Sequence, residues 1–178
     1  MKESERNEAF DALLVIQIQN GDRKGFNLLF HRWNKKLLRH AIRQVKSHHI
    51  AKDVVQNSWI AILKGLNTLK EPSHFGPWAM RIVYYKAIDH LRKQKRKELK
   101  STLSNDEIQE DPRIQSILTG LNALPENHKQ MLTLFYLEEM SVVEIAYILN
   151  IPPGTVKSRL FHAREFLKKQ LKAVRYEK

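Results

Sequence analysis

The sequence predicts an all-α protein, two small helical domains joined by a linker, with a helix-turn-helix in the C-terminal one. Three observations carry that expectation. Apolar residues recur at helical spacing in four long stripes, and no stretch alternates apolar and polar residues between turn signals as a strand would. Helix-capping and helix-breaking residues fall where the stripes begin and end. Midway along the chain a basic run gives way at once to an acidic segment with few apolar residues, the pattern of a solvated linker.

The elements follow in order. A short first helix ends at Asn20-Gly21-Asp22, where Asp22 offers an N-cap to the next helix. That helix carries Phe26, Leu29, Phe30, Trp33, Leu37 and Ala41 on one face. A second stripe contains Val55, Trp59, Ile62, Leu63 and Leu66. Glu71-Pro72-Ser73 and Gly76-Pro77 bracket a loop, after which Trp78, Ile82, Tyr85 and Ile88 make the third stripe. All three tryptophans lie on stripes and are expected in the core, whereas adjacent Tyr84 and Tyr85 cannot both face inward. The basic run Arg92-Lys93-Gln94-Lys95-Arg96-Lys97 then meets residues 104–112, which hold Asp106, Glu107, Glu110 and Asp111 and no base. The expected domains are therefore 1–97 and 113–178, with a linker at 98–112. Leu124-Pro125-Glu126 reads as a helix start, with proline at the first helical position and an acid in the first turn. Val156, Leu160, Ala163, Leu167 and Leu171 form the last stripe.

Composition limits what such a protein does. Its 178 residues include 31 Lys+Arg against 19 Asp+Glu, a net charge of +12 that suits a polyanionic partner, nucleic acid or an anionic membrane surface. No apolar run approaches the ~18–20 residues of a membrane span. The first residues, MKESERNEAF, are charged where a signal peptide would be apolar, so a cytoplasmic location is expected. With no cysteine there are no disulfides and no thiolate metal sites. His48 and His49 are adjacent, so on a helix they point about 100° apart and make poor joint metal ligands. No HExxH, phosphate-binding glycine loop or nucleophile elbow is present. Catalysis, a metal, a cofactor and a small-molecule substrate are accordingly not expected.

The strongest motif lies near the C-terminus. Ser141-Val142-Val143-Glu144 has the form of a capping box opening a short helix over 142–149. A turn at Asn150-Ile151-Pro152-Pro153-Gly154 leads into a longer basic helix starting at Thr155. Two helices joined by a tight turn, the second basic and polar on its open side, form the geometry that enters a major groove. Ile145, Ala146, Leu149, Ile151, Val156 and Leu160 are expected to pack the pair together. That leaves Thr155, Lys157, Ser158, Arg159, Phe161, His162 and Arg164 for the outward faces, where cations and hydroxyls contact base edges or phosphates. Phe161 is expected either on a thymine methyl or in the core.

Taken with Leu124-Pro125, the strings Ser141-Val142-Val143-Glu144-Ile145-Ala146 and Gly154-Thr155-Val156-Lys157-Ser158-Arg159-Leu160 resemble region four of extracytoplasmic-function sigma factors. These are small sigma-70-type subunits of bacterial RNA polymerase. Response-regulator effector domains carry a similar Glu-Ile-Ala plus Thr-Val-Lys pattern, so the N-terminal half decides between them. There, Ala51-Lys52-Asp53-Val54-Val55-Gln56-Asn57-Ser58-Trp59 resembles the family's polymerase-docking helix, which implies core-polymerase binding by Asp53, Gln56 and Asn57 with apolar support from Trp59. Asn57 stands where the family usually has Glu. Phe75, Trp78, Arg81-Ile82 and Ala87-Ile88-Asp89-His90-Leu91-Arg92 resemble the promoter-opening segment, with Tyr85 where the family commonly has Asn. Gly21-Asp22, Phe26 and Leu29-Phe30 resemble its first helical pair.

The resemblance implies −10 contacts by a base-capture loop at 67–76 and the helix after it, with Ser73, His74, Arg81, Tyr84, Tyr85, Lys86 and Arg92 as candidates. Their chemistry suits unpaired DNA: from Arg81 to Lys100 eight bases oppose two acids, with two tyrosines interleaved. It further implies −35 readout by the helix-turn-helix at about 142–162, with His162 where relatives often carry Arg. The implied partners are core RNA polymerase, promoter DNA as duplex and melted strand, and an anti-sigma factor. A free-standing regulator would pair the same helix-turn-helix with a sensing domain, for which the first half has no alternating β–α pattern. A pure protein-interaction adaptor would leave both basic faces without a role.

Overall fold

The computed structural model describes residues 3–98 and 124–176, which are helix, turn and short loop. They fall into two compact units, one on each side of residues 99–123. The expected linker lies outside the described residues except for Glu98, as do Asp106, Glu107, Glu110 and Asp111.

In the first unit, helices α1 (Glu3–Gln19), α2 (Arg23–Val45), α3 (His48–Gly65) and α4 (Phe75–Glu98) pack together, with α2 and α4 in extensive contact. Short 3-10 turns at Leu66–Thr68 and Pro72–His74 shape the α3–α4 connection. Gly21 adopts a φ of +93°, a conformation open to glycine, and lets the chain reverse into α2. Asp22 caps α2 as expected, its Oδ1 accepting from the Lys24 N–H at 2.8 Å. Ser47 caps α3 in the same way, accepting from the Ile50 N–H at 3.4 Å. Leu14 and Val15, Leu29 and Leu37, Val55 and Ile62, and Phe75 and Val83 bring all four helices into one core.

Two stripes differ from expectation. On α4 the fully buried line is Phe75, Ala79, Val83 and Ala87, while Trp78, Ile82 and Ile88 are half-buried along its flanks and Tyr85 is exposed. Where helices approach most closely only small side chains fit, and alanine and glycine contribute little to a hydropathy pattern. Gly76 is the limiting case: a Cβ there would lie 2.6 Å from Trp33 Cη2. Gly76-Pro77 therefore does not close the loop but falls in the first turn of α4, where the missing Pro77 N–H would have had no helical partner. On α3, Leu63 is 47% exposed rather than core. Ser58 takes an inward position instead, its hydroxyl satisfied by donating to the Val54 carbonyl at 2.7 Å.

The second unit contains α5 (Glu126–Leu132), which continues as a π-helical turn at Thr133–Leu137, then α6 (Val142–Leu149) and α7 (Pro153–Tyr176). Pro125 is the N-cap of α5 rather than its first helical residue. Helices α5 and α6 both pack on α7. Ile145, Ala146, Val156 and Leu160 are buried as the helix-turn-helix pattern expects, whereas Leu149 and Ile151 are half-buried. Ile148 is fully buried although the two-helix pattern passed over it, because α6 is covered by the π turn as well as by α7.

Candidate polymerase and DNA interfaces

Local chemistry sets up the helix-turn-helix. The Glu144 N–H donates to Ser141 Oγ at 3.2 Å, and the Ser141 N–H donates to Glu144 Oε2 at 2.7 Å, so two orphan donors at the start of α6 are satisfied reciprocally. Asn150 ends the helix in the left-handed region at φ 55°. Pro152 then launches α7, its carbonyl accepting from the N–H groups of Thr155 at 2.9 Å and Val156 at 3.2 Å.

Val156, Leu160 and Ala163 form the inward line of α7, leaving Lys157, Ser158, Phe161 and His162 on the open side. Thr155 and Arg159 are half-buried at its borders. Phe161 is 60% exposed, which removes the alternative that it completes the core. Its ring meets His162 edge-on at 5.5 Å. Arg164 is exposed but not free-standing: its guanidinium lies 5.3 Å from the Phe135 ring centre and 5.6 Å from that of Tyr136. That seat is not legible before folding, because both aromatics come from the π turn.

On α3, Asp53, Gln56 and Asn57 are all exposed. The Asn57 amide donates to the Asp53 carbonyl at 2.9 Å, and Asp53 Oδ2 lies 3.8 Å from His49 Nδ1. Trp59 is corrected as a contact residue. It is 5% exposed, donates from Nε1 to Asn34 Oδ1 at 3.0 Å, and packs against Phe26 and Phe30, so it supports α3 from beneath. The apolar residues that do reach the surface beside the polar trio are Ile60 and Leu63, 49% and 47% exposed. Their positions, seven residues after Asp53 and seven after Gln56, were a readable signal that they share its side of the helix.

Among the expected −10 residues, Ser73, His74, Tyr85 and Arg92 are exposed, and Arg81, Tyr84 and Lys86 are half-buried. The Arg81 guanidinium lies 5.6 Å from the Tyr85 ring centre, and Tyr84 and Tyr85 meet edge-on at 5.3 Å. The loop before them is held from α1. Gln19 Nε2 donates to the carbonyls of Leu66 at 2.9 Å and Leu69 at 3.0 Å. Glu71, which sequence reasoning did not single out, sits with its carboxylate 2.9 Å from His74 Nδ1. Among the described residues no helix is long and apolar enough to cross a membrane.

A helix-turn-helix with an open cationic side, in a chain whose other helical unit has a cationic helix of its own, defines a DNA-binding class of protein. Comparison with known proteins narrows it. The sigma-70 region 2 family profile matches residues 29–97, and the sigma-70 region 4 profile matches residues 114–167. The ECF RNA polymerase sigma-E factor of Salmonella typhimurium is 34% identical over 175 residues, spanning 87% of this chain and 91% of that protein. Its counterpart in Haemophilus influenzae is 31% identical over 180 residues, spanning 90% and 95%. The fold is shared with the sigma factor RpoE of Bartonella quintana, solved with the anti-sigma factor NepR, at a TM-score of 0.71 and 23% identity over 84% of this chain and 98% of that one. CnrH, solved with the cytosolic domain of CnrY, gives a TM-score of 0.69 and 25% identity over 92% and 98%. The chain belongs to the extracytoplasmic-function family of RNA polymerase sigma factors. It binds core RNA polymerase and directs promoter-specific initiation, with DNA opening by the N-terminal unit and −35 readout by the helix-turn-helix.

Proposed function

We propose a residue-level division of that work. Asp53, Gln56 and Asn57 dock α3 on core polymerase, with Ile60 and Leu63 supplying the apolar contact assigned from sequence to Trp59. The loop 67–76 captures an unpaired −10 base, and Arg81, Tyr84, Tyr85, Lys86 and Arg92 hold the melted strand by charge and stacking. Lys157, Ser158, Phe161 and His162 enter the −35 major groove, flanked by Thr155 and Arg159, with Arg164 toward the backbone. The single observation that carries this assignment is the open side of α7, where those four residues stand clear of the Val156–Leu160–Ala163 line. Domains at 1–97 and 113–178 joined by a linker at 98–112 let two modest DNA-binding modules raise each other's local concentration. The protein works in the cytoplasm by binding alone, without catalysis, cofactor or small-molecule substrate. Its restraint by an anti-sigma factor is supported by the fold relative RpoE, which was solved with the anti-sigma factor NepR.

The test is co-migration of the full chain with core polymerase on a sizing column, followed by promoter binding by the holoenzyme. Asp53→Ala with Gln56→Ala should abolish co-migration. Lys157→Ala should leave co-migration intact and weaken binding to promoters with an intact −35 element by about 1–3 kcal/mol. Loss of co-migration with Lys157→Ala, or its survival in the double variant, sinks the division of labour.

A further inference from the structure

Helix α1 is apolar on two sides. Leu14 and Val15 are buried in the core, yet Phe10, Leu13 and Ile16 remain 44%, 59% and 43% exposed on the outer surface. A surface helix ordinarily carries one apolar stripe, so a second marks a face that a partner covers. The adjoining part of α2 continues this face. Leu28 is 53% exposed, and the guanidinium of Arg32, one turn further along α2, lies 4.9 Å from the Phe10 ring centre. Phe10 and Leu28 therefore flank the same side of the seam between α1 and α2, with Leu13 the next residue of α1 along it.

Charge along this seam has one sign. Lys24, Leu28, Arg32, Lys35 and Arg39 follow one another at helical spacing, a single stripe of α2 about 22 Å long. Lys24, Lys35 and Arg39 are exposed, as is Arg6 on the Leu13 side of α1, and α2 contains no Asp or Glu. Among the described residues the nearby acids are engaged or turned away. Asp11 is buried and accepts from Arg32 and Trp33, Asp22 caps α2, and Glu8 stands about 160° round α1 from Phe10. Nucleic acid would use the cations and leave the apolar residues in water, and a second copy would set one cationic stripe against another. The seam between two packed helices is a groove that a third helix fills and a flat lipid surface does not enter. We propose that the α1–α2 seam receives an acidic amphipathic helix of a protein partner. Its apolar residues meet Phe10, Leu13 and Leu28, and its carboxylates meet Lys24, Lys35 and Arg39. None of these residues belongs to the set on α3 proposed to dock core polymerase, so, resting on that reading, the partner joins the assembled holoenzyme and does not displace core.

The probe is a phage-displayed library of helical peptides with randomised surface positions. It is selected against holoenzyme assembled from the full chain and core RNA polymerase, after passage over core polymerase alone to remove core binders. Selected peptides should carry Asp and Glu beside Leu or Phe at helical spacing. Leu28→Asp, at an exposed position that leaves the fold intact, should weaken their binding by about tenfold, the scale of losing one half-buried leucine contact. Reselection on Lys35→Glu with Arg39→Glu is decisive: the apolar positions should persist while the acidic ones turn to Lys and Arg. Peptides without an acidic bias, or binding indifferent to both sets of changes, would overturn the inference. So would peptides that bind the free chain and not the holoenzyme, since the seam would then be a polymerase contact. Pelleting of the full chain with vesicles of phosphatidylglycerol and phosphatidylethanolamine, or its self-association on a sizing column, would give the seam to lipid or to a second copy if Leu28→Asp abolished it, and would overturn the inference too. The docking reading of α3 fails separately, if Asp53→Ala with Gln56→Ala still co-migrates with core. Co-migration of each seam variant with core polymerase controls for folding and assembly.

Discussion

Helices α4 and α7 carry the two cationic sides of this molecule, and they are held in opposite ways. The start of α7 is determined by its neighbours in sequence: a reciprocal capping box on α6, Asn150 in the left-handed region, and the Pro152 carbonyl receiving two N–H groups. The start of α4 is determined from far away. Trp33 lies against Gly76, Asp11 holds Trp33, and Gln19 spans the preceding loop. One cationic helix is thus a local construction, whereas the other depends on the packing of its whole domain. Perturbations of the N-terminal unit should accordingly be larger. All three tryptophans lie in that unit, so their fluorescence follows its unfolding separately.

Gly76→Val should have the largest effect. The added Cβ would lie 2.6 Å from Trp33 Cη2 and 3.0 Å from Cζ2. The indole has little room to retreat, because Nε1 donates to Asp11 Oδ2 at 3.0 Å and Lys36 Nζ rests 4.8 Å from the ring centre. Overpacking of this kind costs about 3 kcal/mol. Urea unfolding followed by tryptophan fluorescence should show that loss; a change below about 0.5 kcal/mol, the scatter of surface substitutions, would mean that the contact is soft.

Asp11→Ala probes the same support one step further out. Asp11 is a buried carboxylate that accepts from Arg32 Nε at 2.7 Å and Trp33 Nε1 at 3.0 Å, so alanine leaves both donors without this acceptor. The expected loss is about 2 kcal/mol, again in the tryptophan signal. Wild-type stability in this variant would show that the α1–α2 contact carries itself on apolar packing, and the contrast with α7 would shrink.

The same contrast explains what was legible in the sequence. The bounds of α6 were readable because Ser141 and Glu144 interact only three residues apart. Asp22 was readable as a cap for the same reason. The phase of α4 was not, since Gly76, Ala79 and Ala87 mark its buried side by being small, a property that matters only once Trp33 and the other helices are in place. Trp59 was legible as an apolar residue, but whether its helix turned it toward the core or a partner depended on Asn34 and Phe30. Ile60 and Leu63 show the converse, apolar residues left outside because α3 has its inward positions filled by Ala51, Val55, Ser58 and Ile62. Glu71 was missed because its meeting with His74 depends on a 3-10 turn, although Glu-Pro-Ser-His held the signal of a proline-set turn with both side chains at its ends.

Ser141→Ala tests the local construction. Without the hydroxyl the Glu144 N–H loses its acceptor, and α6 should lose about 1 kcal/mol. Far-UV circular dichroism should record the change while tryptophan fluorescence stays at the wild-type midpoint. A matching shift in tryptophan fluorescence would mean that the two units do not unfold independently.

The smallest expected effect is also the one that separates the two descriptions of Arg164. Its guanidinium rests on Phe135 and Tyr136, an arrangement worth about 0.5–1 kcal/mol at an exposed site. If those rings aim the cation at a backbone phosphate, Arg164→Ala removes one counterion-releasing contact, and the slope of log affinity against log salt should fall by about one. The effect should be equal on promoters with matched and mismatched −35 elements, because phosphates carry no base identity. An unchanged slope with a small loss of stability in the C-terminal unit would make Arg164 a clasp between α7 and the π turn. The DNA-facing side of α7 would then end at His162, leaving its first three turns to make the contact with the promoter.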